Sequence, residues 1–296
     1  MVTTRKSTLD METYYIDTNG VSLHVKMAGP ADGQPVILLH GFPEFWYGWK
    51  AQIEFLANAG YRVIVPDQRG YNLSDKPKAV EAYRMYQLVA DVIGLIDHIG
   101  HDQVYLVGHD WGGGVAWATA IRHPERIKKL VILNTPHPSV FLQQLGSNPR
   151  QVSRSLYMGF FQLPFAPEAM LMLGDGMGAA NLLQFSSKPG TFSDADIAEY
   201  IKAWKRPGAM TAMLNWYRAT GRKPSSGNLS SGGSIRVTMP TLLVWGTKDI
   251  ALGSEMAQPS IDLCDDGRLI TFNDAGHWIA HEKPNEVNAL MAEFLQ

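Results

Sequence analysis

The sequence predicts an α/β protein, with a mostly parallel sheet of about eight strands flanked by helices and a helical segment inserted late in the sheet. Three observations carry this prediction. Short apolar runs alternate with helix-length patterns over the first 135 residues. The stretch from Val104 to Ala120 reads as strand, sharp turn and helix in succession: the apolar run Val104-Tyr105-Leu106-Val107 breaks at Gly108, and Gly112, Gly113 and Gly114 open a small-residue pattern. Alternation stops after Thr135-Pro136-His137-Pro138 and resumes near residue 241.

Taken in order, residues 13–17 and 21–27 alternate around Thr18-Asn19-Gly20, a hairpin signal. Residues 35–39 form a nearly continuous apolar run, as expected of a strand covered on both faces, and end at His40-Gly41-Phe42-Pro43. A helical pattern over 47–59 closes at Gly60, a strand follows over 61–65, and a second helix over 83–99 closes at Gly100. After the Val104 strand and its helix comes a strand over 127–133. Residues 139 to about 220 then give helical patterns rich in Met and aromatic residues, among them Met158, Phe161, Met170, Trp204, Met213 and Trp216. Most of these must form the insertion's own core, while adaptable Met and flat aromatic surfaces also suit the roof of an apolar pocket. The Gly/Ser-rich run 221–234 reads as a flexible connector. Strands over 241–245 and 268–272 and a helix over 286–295 complete the core. The division is therefore 1–136 and 235–296 for the core and 137–234 for a helical cap with its return linker.

Composition narrows the function. A net charge of −2, no like-charge run and 18% charged residues leave no electrostatic footprint for nucleic acid or anionic membranes. The single cysteine, Cys264, excludes an internal disulfide and a multi-cysteine metal site. The first twenty residues lack an apolar h-region and no long apolar run occurs, so a cytoplasmic protein is expected.

The spacing Gly108-His109-Asp110-Trp111-Gly112 fits a nucleophile elbow with aspartate where serine would stand. An ionised aspartate needs no base to become nucleophilic, and it attacks saturated carbon to leave an alkyl ester on the enzyme. The plainer alternative is a tight turn whose Asp110 only caps the next helix. His40, Asp110, Asp249 and His277 each follow a predicted strand, at the end where open parallel sheets bind ligands. The chain order of nucleophile, acid and histidine matches that of elbow hydrolases, with Asp249 orienting His277 and His277 activating water. Singly, Asp249 could end a turn and His277 could be a core histidine. His277 and His281 are spaced i,i+4, but nothing completes a zinc site, and Gly174-Asp175-Gly176-Met177-Gly178 follows no strand as a nucleotide loop would.

Several segments resemble the epoxide hydrolases of the α/β-hydrolase fold, with likeness from about Tyr14 to the C-terminus: His40-Gly41-Phe42-Pro43-Glu44, Asp67-Gln68-Arg69-Gly70-Tyr71, Gly108 to Gly113, Trp245-Gly246-Thr247-Lys248-Asp249 and Gly276-His277-Trp278. Two cap segments, 157–164 and 215–218, resemble those in which that family places its ring-opening tyrosines, which fall at Tyr157 and Tyr217. The resemblance implies the α/β-hydrolase fold and hydrolysis of an epoxide to a vicinal diol through an ester on Asp110, and the Met and aromatic residues of the insertion predict that the epoxide is apolar, aryl or alkyl. It implies backbone N–H groups of Phe42 and Trp111 as the oxyanion hole, and Trp111, Phe42, Pro43, Trp278 and Phe161 as substrate contacts. It implies no metal or cofactor, no partner beyond epoxide and water, and a monomer or homodimer.

The chain departs from the family pattern at Asn72, where many relatives carry glycine; asparagine tolerates φ > 0 next best. Haloalkane dehalogenases share the Asp-Trp pair but carry Asn where this chain has Phe42, and have no use for paired cap tyrosines. Fluoroacetate dehalogenases place Arg where Trp111 stands. A non-catalytic ligand receptor on the same fold has no need to keep nucleophile, acid and base together.

Overall fold

The computed structural model describes residues 10–221 and 235–296. Among them one eight-stranded sheet runs in the order β1-β2-β4-β3-β5-β6-β7-β8. The strands are β1 Met11–Thr18, β2 Val21–Ala28, β3 Pro35–Leu39, β4 Arg62–Pro66, β5 Val104–His109, β6 Ile127–Leu133, β7 Thr241–Gly246 and β8 Gly267–Phe272. From β4 to β8 every pairing is parallel. β1 and β2 form the expected hairpin, with Asn19 at φ 48° and Gly20 at φ 75°, the left-handed pair a two-residue loop requires. β2 then pairs antiparallel with β4, a neighbour that no local pattern announced.

β3, β5 and β7 are buried throughout, so their side chains serve two cores by alternation. Ile37, Leu39, Leu106, Ile132 and Leu243 point to one face, and Val36, Leu38, Val107, Val131 and Leu242 to the other. On the second face lie α1 Lys50–Asn58 and the last helix, α13 Pro284–Leu295, through Ile53, Leu56, Val287 and Met291. The first face takes α2 Met85–His98 and α3 Trp111–Arg122 together with the inserted helices. The helix expected over 47–59 begins with a 3₁₀ turn, Trp46–Trp49, before α1. That expected over 83–99 starts later, because Arg84 is extended at ψ 147°.

Between β6 and β7 stand α4 Pro138–Ser147, α5 Pro149–Arg154, α6 Leu156–Phe160, α7 Ala166–Leu171, α8 Leu173–Phe185, α9 Asp194–Trp204 and α10 Ala209–Thr220. Two short helices, α11 Ala257–Ile261 and α12 Ile279–Glu282, flank β8. The run at Gly174, Asp175 and Gly176 is a left-handed kink inside α8, which ends any likeness to a nucleotide loop. The insertion is tied to the core by buried indoles: Trp204 Nε1 donates to the Pro43 carbonyl at 2.6 Å and Trp216 Nε1 to the Arg69 carbonyl at 3.0 Å. Asn72, at φ 37°, adds what glycine could not, since its Oδ1 accepts from Arg206 Nε of the insertion at 2.8 Å. The expected connector lies, apart from Gly221, outside the described residues. Among the described residues no helix is long and apolar enough to cross a membrane.

Candidate active site

The site forms where β3, β5, β6, β7 and β8 end. Asp110 occupies the turn between β5 and α3 at φ 50° and ψ −124°. That is a region L-residues rarely enter, and holding it costs roughly 1–3 kcal/mol. The turn can be this sharp because its neighbours are small: a Cβ on Gly112 would collide with the Leu39 carbonyl, and one on Gly41 with the Asp110 side chain. Asp110 caps nothing by its side chain, which disposes of the helix-cap alternative. Its Oδ1 instead accepts the Phe42 N–H at 2.7 Å, and its Oδ2 lies 3.6 Å from His277 Nε2. The N–H of Trp111 opens α3 at the same turn, where a helix N-terminus leaves such donors without intrahelical partners.

His277 Nδ1 donates to Asp249 Oδ2 at 2.8 Å. Asp249 is itself fully engaged, with Oδ2 also accepting from Asn134 Nδ2 at 2.9 Å and Oδ1 accepting the N–H groups of Ala251 and Leu252 at 2.8 and 2.9 Å. Burial would raise the Asp249 carboxyl, but His277 and these donors hold it below the ordinary carboxylate range. For His277, burial opposes the charged ring, yet the carboxylates of Asp249 and Asp110, with Glu44 behind them, push its pKa up to about 9. These carboxylates thus favour the protonated ring, whose Nε2 faces the Asp110 side chain.

Tyr157 on α6 and Tyr217 on α10 meet above this group, their ring centroids 6.0 Å apart. Burial first, then the Asp110 and Asp249 carboxylates, raise the Tyr157 phenol well above its usual range. Tyr217 moves the same way through burial, Tyr157 and Asp110. Both remain neutral O–H donors. Tyr217 packs edge-on against Trp111 at 5.0 Å, Phe42 at 5.3 Å and Phe161 at 5.0 Å, so three of the expected substrate contacts surround it. The Pro43 carbonyl accepts the Trp204 indole N–H at 2.6 Å. Trp278 stands behind the histidine, 4.8 Å from the His277 ring, with its indole N–H on Ser186 Oγ.

Two groups escaped the sequence reading. Asn134, at φ 43°, uses its amide to join the ends of β6 and β7: Nδ2 reaches Asp249, and Oδ1 accepts the Gly246 N–H at 2.8 Å. Its only local signal is a polar residue directly after an apolar strand. Glu44 is 4% exposed and lies between His281 Nε2 at 2.7 Å, Tyr200 Oη at 2.7 Å and His109 Nδ1 at 3.4 Å. Burial would raise its carboxyl, but the two histidines hold it well below the usual range. A lone acid within Phe42-Pro43-Glu44-Phe45-Trp46 was the available hint, since an unpaired charge is seldom buried. His281 is thus spoken for by Glu44. His109 turns Nε2 to the His277 carbonyl at 2.8 Å, packing beside the elbow as its position suggests. His40 supports its loop, accepting the Gln68 N–H at 3.1 Å.

Residues 34–284 match the alpha/beta hydrolase fold family. The chain is 47% identical to the AB hydrolase superfamily protein YfhM of Bacillus subtilis, over 95% of this chain and 97% of that one. It is 36% identical to epoxide hydrolase 4 of Mus musculus, over 95% of this chain and 78% of that one. Among solved structures, a mutant epoxide hydrolase from Bacillus megaterium holding its naphthyloxy-propanediol product superposes with a TM-score of 0.84 at 31% identity, covering 95% of this chain and 99% of that one.

Proposed function

The chain belongs to the epoxide hydrolases of the α/β-hydrolase fold, and from that membership we propose that it converts apolar, aryl- or alkyl-bearing epoxides to vicinal diols through a covalent ester on Asp110, under a cap formed by residues 137–234. The observation that carries the reading is the division of the Asp110 carboxylate: Oδ1 sits on the Phe42 N–H, while Oδ2 faces His277.

In the first step Oδ2 attacks a ring carbon, the C–O bond breaks, and the oxygen leaving as alkoxide takes hydrogen bonds and a proton from the Tyr157 and Tyr217 pair. Neutral phenols suit this role because they donate to charge that develops only in the transition state. Ester formation removes the negative charge of Asp110. His277 then loses one of the charges that keep it protonated, and its proton passes to the phenolate left by the alkoxide's protonation, which restores the phenol and leaves the neutral base. In the second step neutral His277 takes a proton from water as that water attacks the ester carbon. The oxyanion develops on Oδ1, where the Phe42 N–H already lies and the Trp111 N–H is at hand. On collapse the ester C–O bond breaks, the His277 imidazolium gives its proton to the leaving diol oxygen, and the acid proton of Asp110 then passes to His277, restoring carboxylate and imidazolium.

The aromatic surroundings of Tyr217 favour flat or branched apolar substituents. The naphthyl-bearing product of the Bacillus megaterium relative is of that class. The test is mass spectrometry of a His277→Gln variant mixed with styrene oxide, beside a sample mixed with a short bromoalkane. An adduct of the whole epoxide mass on the Asp110 peptide is expected. An adduct from the bromoalkane alone would move the assignment to dehalogenation, and none from either would return the protein to the receptor reading.

A further inference from the structure

We propose that Gln151 is a positioning residue for both chemical steps, its buried amide locking the loop that aims at Asp249 to the helices that carry Tyr157. The proposal rests on the Asp110 ester reading above. Gln151 lies in α5 and is completely buried. A buried primary amide must find several partners, and this one finds them on two elements. Nε2 donates to the Ala251 carbonyl at 2.8 Å and to Ser155 Oγ at 3.0 Å, and Oε1 accepts the Gly253 N–H at 3.0 Å.

The segment it grips is the one whose N–H groups hold the acid. Ala251 and Leu252 donate to Asp249 Oδ1 at 2.8 and 2.9 Å, while the Ala251 carbonyl and the Gly253 N–H go to Gln151. Residues 251–253 are thus held from both sides, by the carboxylate and by the amide. The other side of the amide leads to the cap. Ser155 closes α5, its N–H on the Gln151 carbonyl at 3.0 Å, and its own carbonyl accepts the Met158 N–H at 3.0 Å in the first turn of α6, which carries Tyr157. One side chain therefore relates the group that orients the base to the group that activates the epoxide oxygen. Two solvent-exposed contacts flank it, from Asn148 and Arg154 to Glu255 at 3.0 and 3.5 Å. Screening by water leaves these little weight, so the buried amide carries the registration.

Replacing Gln151 with Met keeps the bulk and removes all three bonds, leaving the Ala251 carbonyl and Gly253 N–H without their partner. The loop must then move to satisfy them, which pulls its N–H groups off Asp249. Three readouts follow: the rate of Asp110 alkylation in a single turnover, the rate of ester hydrolysis, and the downfield proton resonance of His277 Nδ1–H, which reports its bond to Asp249. Both rates should fall by about 10- to 100-fold, the scale on which small misplacements act, and the resonance should move upfield or broaden. Rates and resonance within about twofold and unmoved, respectively, while thermal stability drops, would reduce Gln151 to a structural residue. A loss confined to hydrolysis would overturn the claim for both steps. Should Gln151→Met fail to fold, Gln151→Asn keeps the amide but withdraws it by one methylene, and intermediate losses on all three readouts are expected. The resonance needs no substrate, so an unmoved signal sinks the clamp, whereas a missing adduct in His277→Gln sinks only the ester reading.

Discussion

Neutralising Asp110 should release His277 as a base. In Asp110→Asn the backbone turn and the Asp249 partner remain, and one negative charge 3.6 Å from His277 Nε2 disappears. With an effective dielectric of about 20, a pair of unit charges at that separation interacts by about 4.6 kcal/mol. At about 1.36 kcal/mol per pKa unit this sets a ceiling of about 3 units, and neighbouring opposite charges in proteins shift pKa by about 1–3 units. The sign is fixed by the chemistry: less negative surroundings favour the neutral ring, so the pKa falls. From about 9 in the wild type, it should reach about 6–8 in the variant. Titration of the His277 Cε1–H resonance measures both values directly. A pKa within about half a unit of the wild type would refute the reasoning, since Asp249 and Glu44 alone would then hold the proton and alkylation could not free the base.

Other expectations are independent of that titration. Tyr217→Phe removes one O–H donor to the developing alkoxide and should slow alkylation by about 10²-fold while leaving hydrolysis of the preformed ester unchanged; stopped single-turnover experiments separate the two. Glu44→Ala strands His281 and Tyr200 around a vacated buried charge, and urea unfolding should show a loss of about 3–5 kcal/mol. A folded-state pKa of about 9 for His277 lies above its unfolded value of about 6.5. Its contribution to stability is therefore full below pH 6.5 or so and lost as pH rises through about 9. The fall in melting temperature across that window should be smaller in His277→Gln than in the wild type.

Much of this was legible because a buried parallel strand has a plain signature, a short apolar run that stops at glycine or a polar turn. Residues 35–39 and 127–133 are read to the residue for that reason. The elbow was legible because only small residues permit its close approaches, as Gly112 against Leu39 shows. The antiparallel pairing of β2 with β4 was not, because β3 intervenes in sequence and pairing partners leave no local mark. The partnership of Glu44 with His281 and Tyr200 was hidden for a related reason: Glu44 and His281 are 237 positions apart, so only the closed fold declares them partners. Gln151 reads in sequence as one polar residue on a short helix, and nothing local shows that its amide meets residues 251–253. Tyr157 and Tyr217 stood out only by resemblance, since an aromatic-rich helical segment offers many rings of equal standing.

The central claim is that the diol's new oxygen passes through Asp110. A single turnover with enzyme in excess, run in water labelled with oxygen-18, tests it most directly. The account predicts unlabelled diol in that first turnover and one labelled oxygen in the peptide containing Asp110. Labelled diol with an unlabelled peptide would contradict it, showing that water attacks the epoxide itself and that Asp110 never forms an ester.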